Sequence, residues 1–324
     1  MQPPYEITST ILQLVTSISE KVGEVKAYHI SIPSPKLRKK NQIKSVRASL
    51  AIEGNTLDES QITALLEGKR VLGTQKEIQE VKNAIQVYEA LTNFNAESEV
   101  DFLSAHALLM SGLVDKAGEY RIREVGIVQS GTKLSHLAPP AWNVPNLMQS
   151  LFTYLTDSQE IPLIKSCVFH YELEFIHPFE DGNGRMGRLW QTLLLAQEYP
   201  IFLYLPVETL VHEQQQAYYE ALAQSDKSGQ STIFIEYMLS RIDAALEDYL
   251  AQVRQPQSAE ERLRYFFTLS SETNTFKRKD YLQVFRDLSS ATASRDLQKG
   301  VSLGWLKKTG DKRTTNYTIQ QVEL

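Results

Sequence analysis

The chain has 324 residues, with 34 Lys and Arg against 39 Asp and Glu, and 42% of it is hydrophobic. Those proportions exclude disorder along most of its length, and the length predicts two or three domains, each with its own core. A single cysteine, Cys167, excludes a disulfide framework or thiolate zinc cluster and fits a reducing, cytoplasmic setting. No run of about 18 apolar residues occurs, so no membrane span is expected, and the opening MQPPYEITST lacks a secretory pattern.

Residues 1–95 read as a helical N-terminal region. Ile11, Leu14, Val15 and Ile18 recur at helical spacing. A second helix begins at Ser34-Pro35, runs through Lys44, Ser49 and Ile52, and stops at Gly54-Asn55. Thr56-Leu-Asp-Glu59 has the form of a capping box before Ile62, Leu65 and Leu66, and Gly68 closes that helix. Residues 77–91 predict another, with Ile78, Val81, Ile85 and Tyr88 on its buried stripe. Residues 96–250 stay helical with one interruption. Val125-Gly-Ile-Val-Gln-Ser-Gly-Thr-Lys-Leu134 alternates in β-favouring residues about Ser130-Gly131, which predicts a hairpin closed by Pro139-Pro140. Helices resume near Pro145. The apolar stretch 161–176 predicts a central buried helix, ended at His177-Pro178 because the residue before a proline is driven out of helical geometry.

One segment carries the chemistry: His177-Pro-Phe-Glu-Asp-Gly-Asn-Gly-Arg-Met-Gly-Arg188. Gly182 and Gly184 let backbone N–H groups converge at a helix N-terminus, the arrangement that cradles a phosphate. Arg185 and Arg188 share one face of the first helical turn and supply bidentate anion contacts. Asp181 is a hard oxygen donor for a divalent cation on the same phosphates. His177, at the rim, can take a proton from a hydroxyl near neutral pH. Any one of these residues alone fits a helix-capping loop; the set in this order points to nucleotide phosphate chemistry.

The segment resembles, at every defined position, the motif of the Fic family (filamentation induced by cAMP), and the likeness extends over roughly residues 40–240. The resemblance implies a mainly α fold: a helical core with a β-hairpin flap. It implies a protein adenylyltransferase that moves AMP from ATP to a Ser, Thr or Tyr hydroxyl of a target protein, releasing pyrophosphate. His177 would be the general base and Asp181 the Mg²⁺ ligand. Asn183 and the loop N–H groups of Gly182 and Gly184 would hold the α-phosphate, Arg185 and Arg188 the β- and γ-phosphates, and Phe179 would wedge the loop from below. Upstream, Ser45-Val-Arg-Ala-Ser-Leu-Ala-Ile-Glu53-Gly-Asn55 resembles the family's inhibitory-helix motif. It implies that Glu53 pairs with Arg188 in place of the γ-phosphate. The same glutamate serves relatives that remove AMP, so transfer and removal both stay open. The flap would dock the target by strand addition, with Leu134, Ser135 and His136 as its site residues. Tyr218 and Tyr219 resemble the pair flanking adenine, and Asp226 stands where an asparagine often lies. His29, His106, His136, His170 and His212 show no zinc spacing, and most read as structural. Self-modification and a homodimer through the apolar N-terminal helices are further expectations.

A polar linker, Arg254-Gln-Pro-Gln-Ser258, precedes residues 255–324. Helices at 263–269, 279–287 and 291–303, then two strands around Gly310-Asp311, look like a winged helix-turn-helix with Leu282, Phe285, Leu288, Leu297, Leu303 and Trp305 in its core. This part holds 12 Lys and Arg against 8 Asp and Glu, a local charge of +4, and leaves −9 on the rest. Contact with DNA through Ser294, Arg295, Lys299, Lys307, Lys308, Lys312 and Arg313 therefore stays open, either as an accessory or as the main function of a nucleotide-sensing regulator.

Overall fold

The computed structural model describes residues 3–27, 35–129, 133–253, 258–269, 275–286, 288–311 and 314–320. His29, the Ser130-Gly131 turn, residues 254–257, Lys312 and Arg313 lie outside them. So do the side chains of residues 126–137, and Leu134, Ser135 and His136 therefore enter through their backbone alone. The chain divides into two compact units, Met1–Tyr249 and Leu250–Leu324. The N-terminal helices and the segment bearing the motif thus share the first unit.

That unit begins with α1 (Ser9–Ala27), α2 (Pro35–Ile52), α3 (Glu59–Leu66), α4 (Gln75–Glu89) and α5 (Glu99–Leu109). The hairpin follows, β1 (Gly126–Gln129) and β2 (Lys133–Leu137), then α6 (Val144–Asp157), α7 (Pro162–Ile176) and α8 (Asn183–Glu198). α9 (Val207–Glu213), α10 (Gln215–Ser228) and α11 (Thr232–Val253) complete the series. β1 and β2 are antiparallel, Ile127 opposite His136 and Val128 opposite Leu134, so Ser135 sits in a bulge. Among the described residues no helix is long and apolar enough to cross a membrane.

α8 is the centre of the unit and is buried on nearly all sides. Trp190 anchors it, its indole N–H donating to the Ala96 carbonyl at 2.9 Å, with Phe102 edge-on at 5.1 Å. Two local expectations need correction. The capping box before α3 is Asp58 with Gln61: Asp58 Oδ1 accepts from the Ser60 and Gln61 amides, and Gln61 Oε1 accepts from the Asp58 amide. Thr56 lies too early for that role and donates to Glu77 instead, at 2.6 Å. In α4 the buried face is centred on Val81, Ala84 and Val87, while Ile78, Ile85 and Tyr88 are only partly covered. Glu80 and Asn83 are buried there as well, which no apolar pattern reveals. Asn83 donates to the carbonyls of Leu109 and Ser111, and Glu80 turns towards the motif.

The second unit runs α12 (Ala259–Leu269), β3 (Thr275–Phe276), α13 (Arg278–Val284), α14 (Ser290–Ser302), β4 (Leu306–Thr309) and β5 (Asn316–Ile319). Its antiparallel sheet has the order β3-β5-β4. The two-residue β3 is too short to leave a periodic signal. Leu263, Phe266, Phe267, Phe276, Tyr281, Ala293, Leu297 and Leu306 form the core, with Leu282, Phe285, Leu288 and Trp305 packed at its edge. Leu303, expected in that core, is 38% exposed: it caps the end of α14, and Leu306 fills the place. A partly buried fork holds α12 to α14, Arg262 Nε and Nη2 donating to the two Asp296 oxygens at 2.7 and 2.9 Å. Truncating Leu297 to Ala should destabilise this unit by about 2–5 kcal/mol. The readout is amide exchange along α14, and unchanged protection would contradict that packing.

Candidate functional site

The site grows from the junction of α7 and α8. α7 cannot continue past Ile176, because Pro178 follows. His177 resolves the conflict in the left-handed region, at φ 51° and ψ 60°, while its N–H still donates to the Leu173 carbonyl at 2.9 Å. It is the one non-glycine residue with positive φ among those described. The loop re-enters a helix at Gly182, whose φ of 91° suits glycine, and no side chain caps the N-terminus of α8. Uncapped amides at the positive end of a helix are an anion site.

Phe179 is fully buried and stacks on the His106 ring at 3.6 Å, with Phe102 at 5.5 Å. The amide of Asn183 closes the loop on itself, Oδ1 accepting from the Phe179 N–H at 2.9 Å and Nδ2 donating to its carbonyl at 3.0 Å. That side chain shapes the loop from which the resemblance has it hold the α-phosphate. His106 supports the loop from beneath. Its Nδ1 accepts from the Gly118 N–H at 2.9 Å, so Nε2 carries the proton and donates to the Asp181 carbonyl at 3.0 Å. Burial pushes its pKa down from 6.5 to about 4.

Both motif arginines are buried, and carboxylates hold them. Arg188 Nη2 donates to Glu53 Oε1 at 2.7 Å and to the Ser49 carbonyl at 3.0 Å, and Nε reaches Ser49 Oγ at 3.2 Å. Burial alone would disfavour the cation, but Glu53 outweighs it and holds the guanidinium charged above its usual range. Arg185 Nη2 donates to Asp181 Oδ1 at 2.7 Å, and Nη1 lies 3.5 Å from Glu80 Oε1. Glu80 in turn accepts from Asn55, two residues after Glu53, at 2.8 Å. Arg188 Nη1 and Arg185 Nε are buried without a hydrogen-bond partner. Gly184 leaves the room in which these groups meet, since a Cβ there would stand 2.7 Å from Glu53 Oε1 and 3.1 Å from Arg188 Nη1.

Of the two tyrosines expected beside a base, Tyr218 is 1% exposed and its hydroxyl lies 3.0 Å from His170 Nε2, bracing the site from behind. Tyr219 is half-buried, and Gln215 beside it donates to the Ile52 carbonyl at the end of α2. Asp226 accepts from the Tyr171 hydroxyl at 2.9 Å.

Residues 96–195 match the Fic/DOC family. The crystal structure of a Fic family protein from Desulfovibrio desulfuricans G20 is 40% identical, covers all of both chains, and superposes with a TM-score of 0.76. The chain belongs to the Fic family. It is also similar to the protein adenylyltransferase Fic of Drosophila mojavensis, 28% identical over 262 residues, covering 75% of this chain and 49% of that protein. That of Nematostella vectensis is 28% identical over 271 residues, 78% of this chain and 60% of that one. The chain thus spans about half the length of the curated relatives it matches. Fic-1 of C. elegans, residues 134–508, at 21% identity and a TM-score of 0.62, shares the fold.

The Fic motif hid the residues that hold it. Glu80, His106, Arg121 and Glu208 make these bonds with partners 25 to 163 positions away in sequence. Glu208 accepts from Ser45 at 2.9 Å and Tyr88 at 3.0 Å, fixing α2 against the core. The only sequence signal available was a charged or polar residue on an otherwise apolar face. Because native His106 refuses a proton that the unfolded chain accepts, stability should fall as pH drops from 6.5 towards 4. His106→Asn should flatten that dependence by up to about 1.4 kcal/mol per pH unit. Denaturant titrations at several pH values give the two slopes, and equal slopes would contradict the assignment.

Proposed function

We propose that this chain is a protein adenylyltransferase, self-inhibited by Glu53, that moves AMP from ATP to a hydroxyl of a target protein. The observation that carries this reading is the 2.7 Å pair of Glu53 with buried Arg188 beside the uncapped start of α8. The names of the curated relatives support the activity. In the step, the hydroxyl oxygen bonds to the α-phosphorus as the bond to the bridging oxygen of pyrophosphate breaks. The hydroxyl proton passes to His177, and pyrophosphate leaves with the electron pair. Arg185 and Arg188 bind the β- and γ-phosphates, and the α8 amides hold the α-phosphate.

Among the described residues no three His, Cys, Asp or Glu side chains gather to hold a metal by themselves. A single half-exposed carboxylate, Asp181, suits Mg²⁺ shared with phosphates, the way that ion is usually bound. Bound there, Mg²⁺ would neutralise charge on the phosphates.

While Glu53 occupies Arg188, the γ-phosphate lacks its partner and ATP does not reach a pose in line for attack. Removal of AMP is the second reading, favoured by the partly exposed Glu53 carboxylate, which can orient a water; release of AMP from a modified protein by the wild type tests it. For residues 255–324 we read a winged helix-turn-helix. The order helix, strand, helix, helix, strand, strand supports it, as do the exposed Arg295, Lys299, Lys307 and Lys308. Salt-dependent binding to a duplex that weakens in an Arg295→Ala, Lys299→Ala variant would assign that surface to DNA.

Glu53→Gly removes a charge-assisted bond of about 1.5–3 kcal/mol and should raise transfer of α-phosphate label at least tenfold. His177→Ala in that background should lower it by about 10²–10⁴-fold with ATP affinity kept. A silent Glu53→Gly protein, folded and supplied with Mg²⁺, would contradict the reading.

A further inference from the structure

Arg121 lies outside the motif, between α5 and the hairpin, yet its side chain is 0% exposed. The carboxylate nearest it, Glu124 at 3.9 Å, is 67% exposed and offers little compensation. Its hydrogen bonds go to backbone carbonyls instead. Nε donates to His177 at 2.8 Å, and Nη2 to Pro139 at 2.6 Å and Ile176 at 3.3 Å. Nη1 donates to Arg123 at 2.9 Å, and the Arg121 N–H donates to the Pro178 carbonyl at 2.8 Å. One residue therefore engages the carbonyls of 176, 177 and 178 on one side. On the other it engages both legs of the hairpin, Arg123 before β1 and Pro139 after β2. The same base is closed by Glu124, which accepts from the Ala141 N–H at 3.1 Å.

Two physical facts make this more than packing. A buried guanidinium is expensive unless its donors are satisfied, so an apolar side chain would fill the space at less cost if filling were the task. And a left-handed conformation at a non-glycine residue costs about 1–2 kcal/mol and persists only where its surroundings over-determine it. His177 is that residue, and the carbonyls on both sides of its Cα converge on Arg121.

We propose that Arg121 is a positioning residue for the transfer reaction, joining the strained His177 turn and the base of the hairpin into one rigid corner, so that the base meets a hydroxyl presented along the hairpin. The proposal rests on the transfer reading above. The nucleotide contacts hang on other bonds, those of Ser49, Glu53, Glu80 and Asp181, so Arg121 should govern catalysis and leave ATP binding alone.

The test uses the full chain with Glu53→Gly as parent and follows α-phosphate label moving onto whichever protein the parent modifies, itself included. Arg121→Lys should lower kcat by about 10²-fold, the scale of a 1 Å misplacement, with KM for ATP within about threefold of the parent. Lysine should not rescue, because a point charge cannot span carbonyls arranged for a planar fork. Added guanidinium ion should restore part of the rate in Arg121→Ala. Amide exchange supplies a readout independent of activity. In the resting Arg121→Lys chain the His177 amide should lose protection while the Phe179 amide, held by Asn183, keeps it. Transfer within threefold of the parent, or unchanged His177 protection, would overturn the proposal; so would protection lost throughout α7 and α8, the mark of a purely structural residue. If the parent transfers nothing, the transfer reading fails, and the exchange pattern alone decides whether Arg121 holds the corner.

Discussion

Two guanidinium groups are buried at the positive end of a helix, and the molecule has to supply anions for them. That constraint organises the first unit. Arg185 and Arg188 stand 4% and 3% exposed at the start of α8, where the backbone amides add positive potential. Unpaired, each buried charge would cost several kcal/mol. Glu53 from the end of α2, Glu80 from α4 and Asp181 from the loop supply the missing charge. A triphosphate carries the same kind of charge, so any nucleotide has to compete with carboxylates already in place. On the proposed reading, inhibition and binding are two occupancies of one set of donors.

The rest of the architecture fixes where that competition takes place. α2 is held by Glu208 through Ser45 and by Gln215 through Ile52, so the Glu53 carboxylate reaches Arg188 from a braced helix end. Asn55 links the same turn to Glu80 and hence to Arg185, which ties both arginines to one segment of chain. On the opposite side Phe179, wedged on His106, holds the loop at the height the helix start requires. A left-handed His177 turns the chain between α7 and α8, just ahead of that helix start.

What the sequence made legible was whatever is contiguous. The motif at 177–188 announces a helix stop, a glycine loop and a helix start, because each depends on neighbours in the chain. The pairing of Glu53 with Arg188, 135 positions apart, came only from likeness to relatives. Glu80 and Arg121 gave no local sign beyond a charge among apolar neighbours, since burial of a charge is decided by partners that folding brings from elsewhere. The same reason explains the smaller differences. Ile78 and Ile85 fit an apolar period, but the tertiary partners of Glu80 and Asn83 rotated the buried face of α4. Leu303 satisfied a helical stripe until α14 ended one residue earlier. The bonds of the Asn183 amide to Phe179 also left no sign in the sequence.

The central claim is that Arg188 carries a resident carboxylate which the terminal phosphates must displace. Calorimetric titration of the full chain with ATP and with AMP, wild type against Glu53→Gln, tests it directly. ATP affinity should rise by about tenfold or more, as loss of a charge-assisted competitor implies, while AMP, which has no β- or γ-phosphate, binds the two proteins alike. Equal ATP affinities, or an equal gain for AMP, would contradict the account.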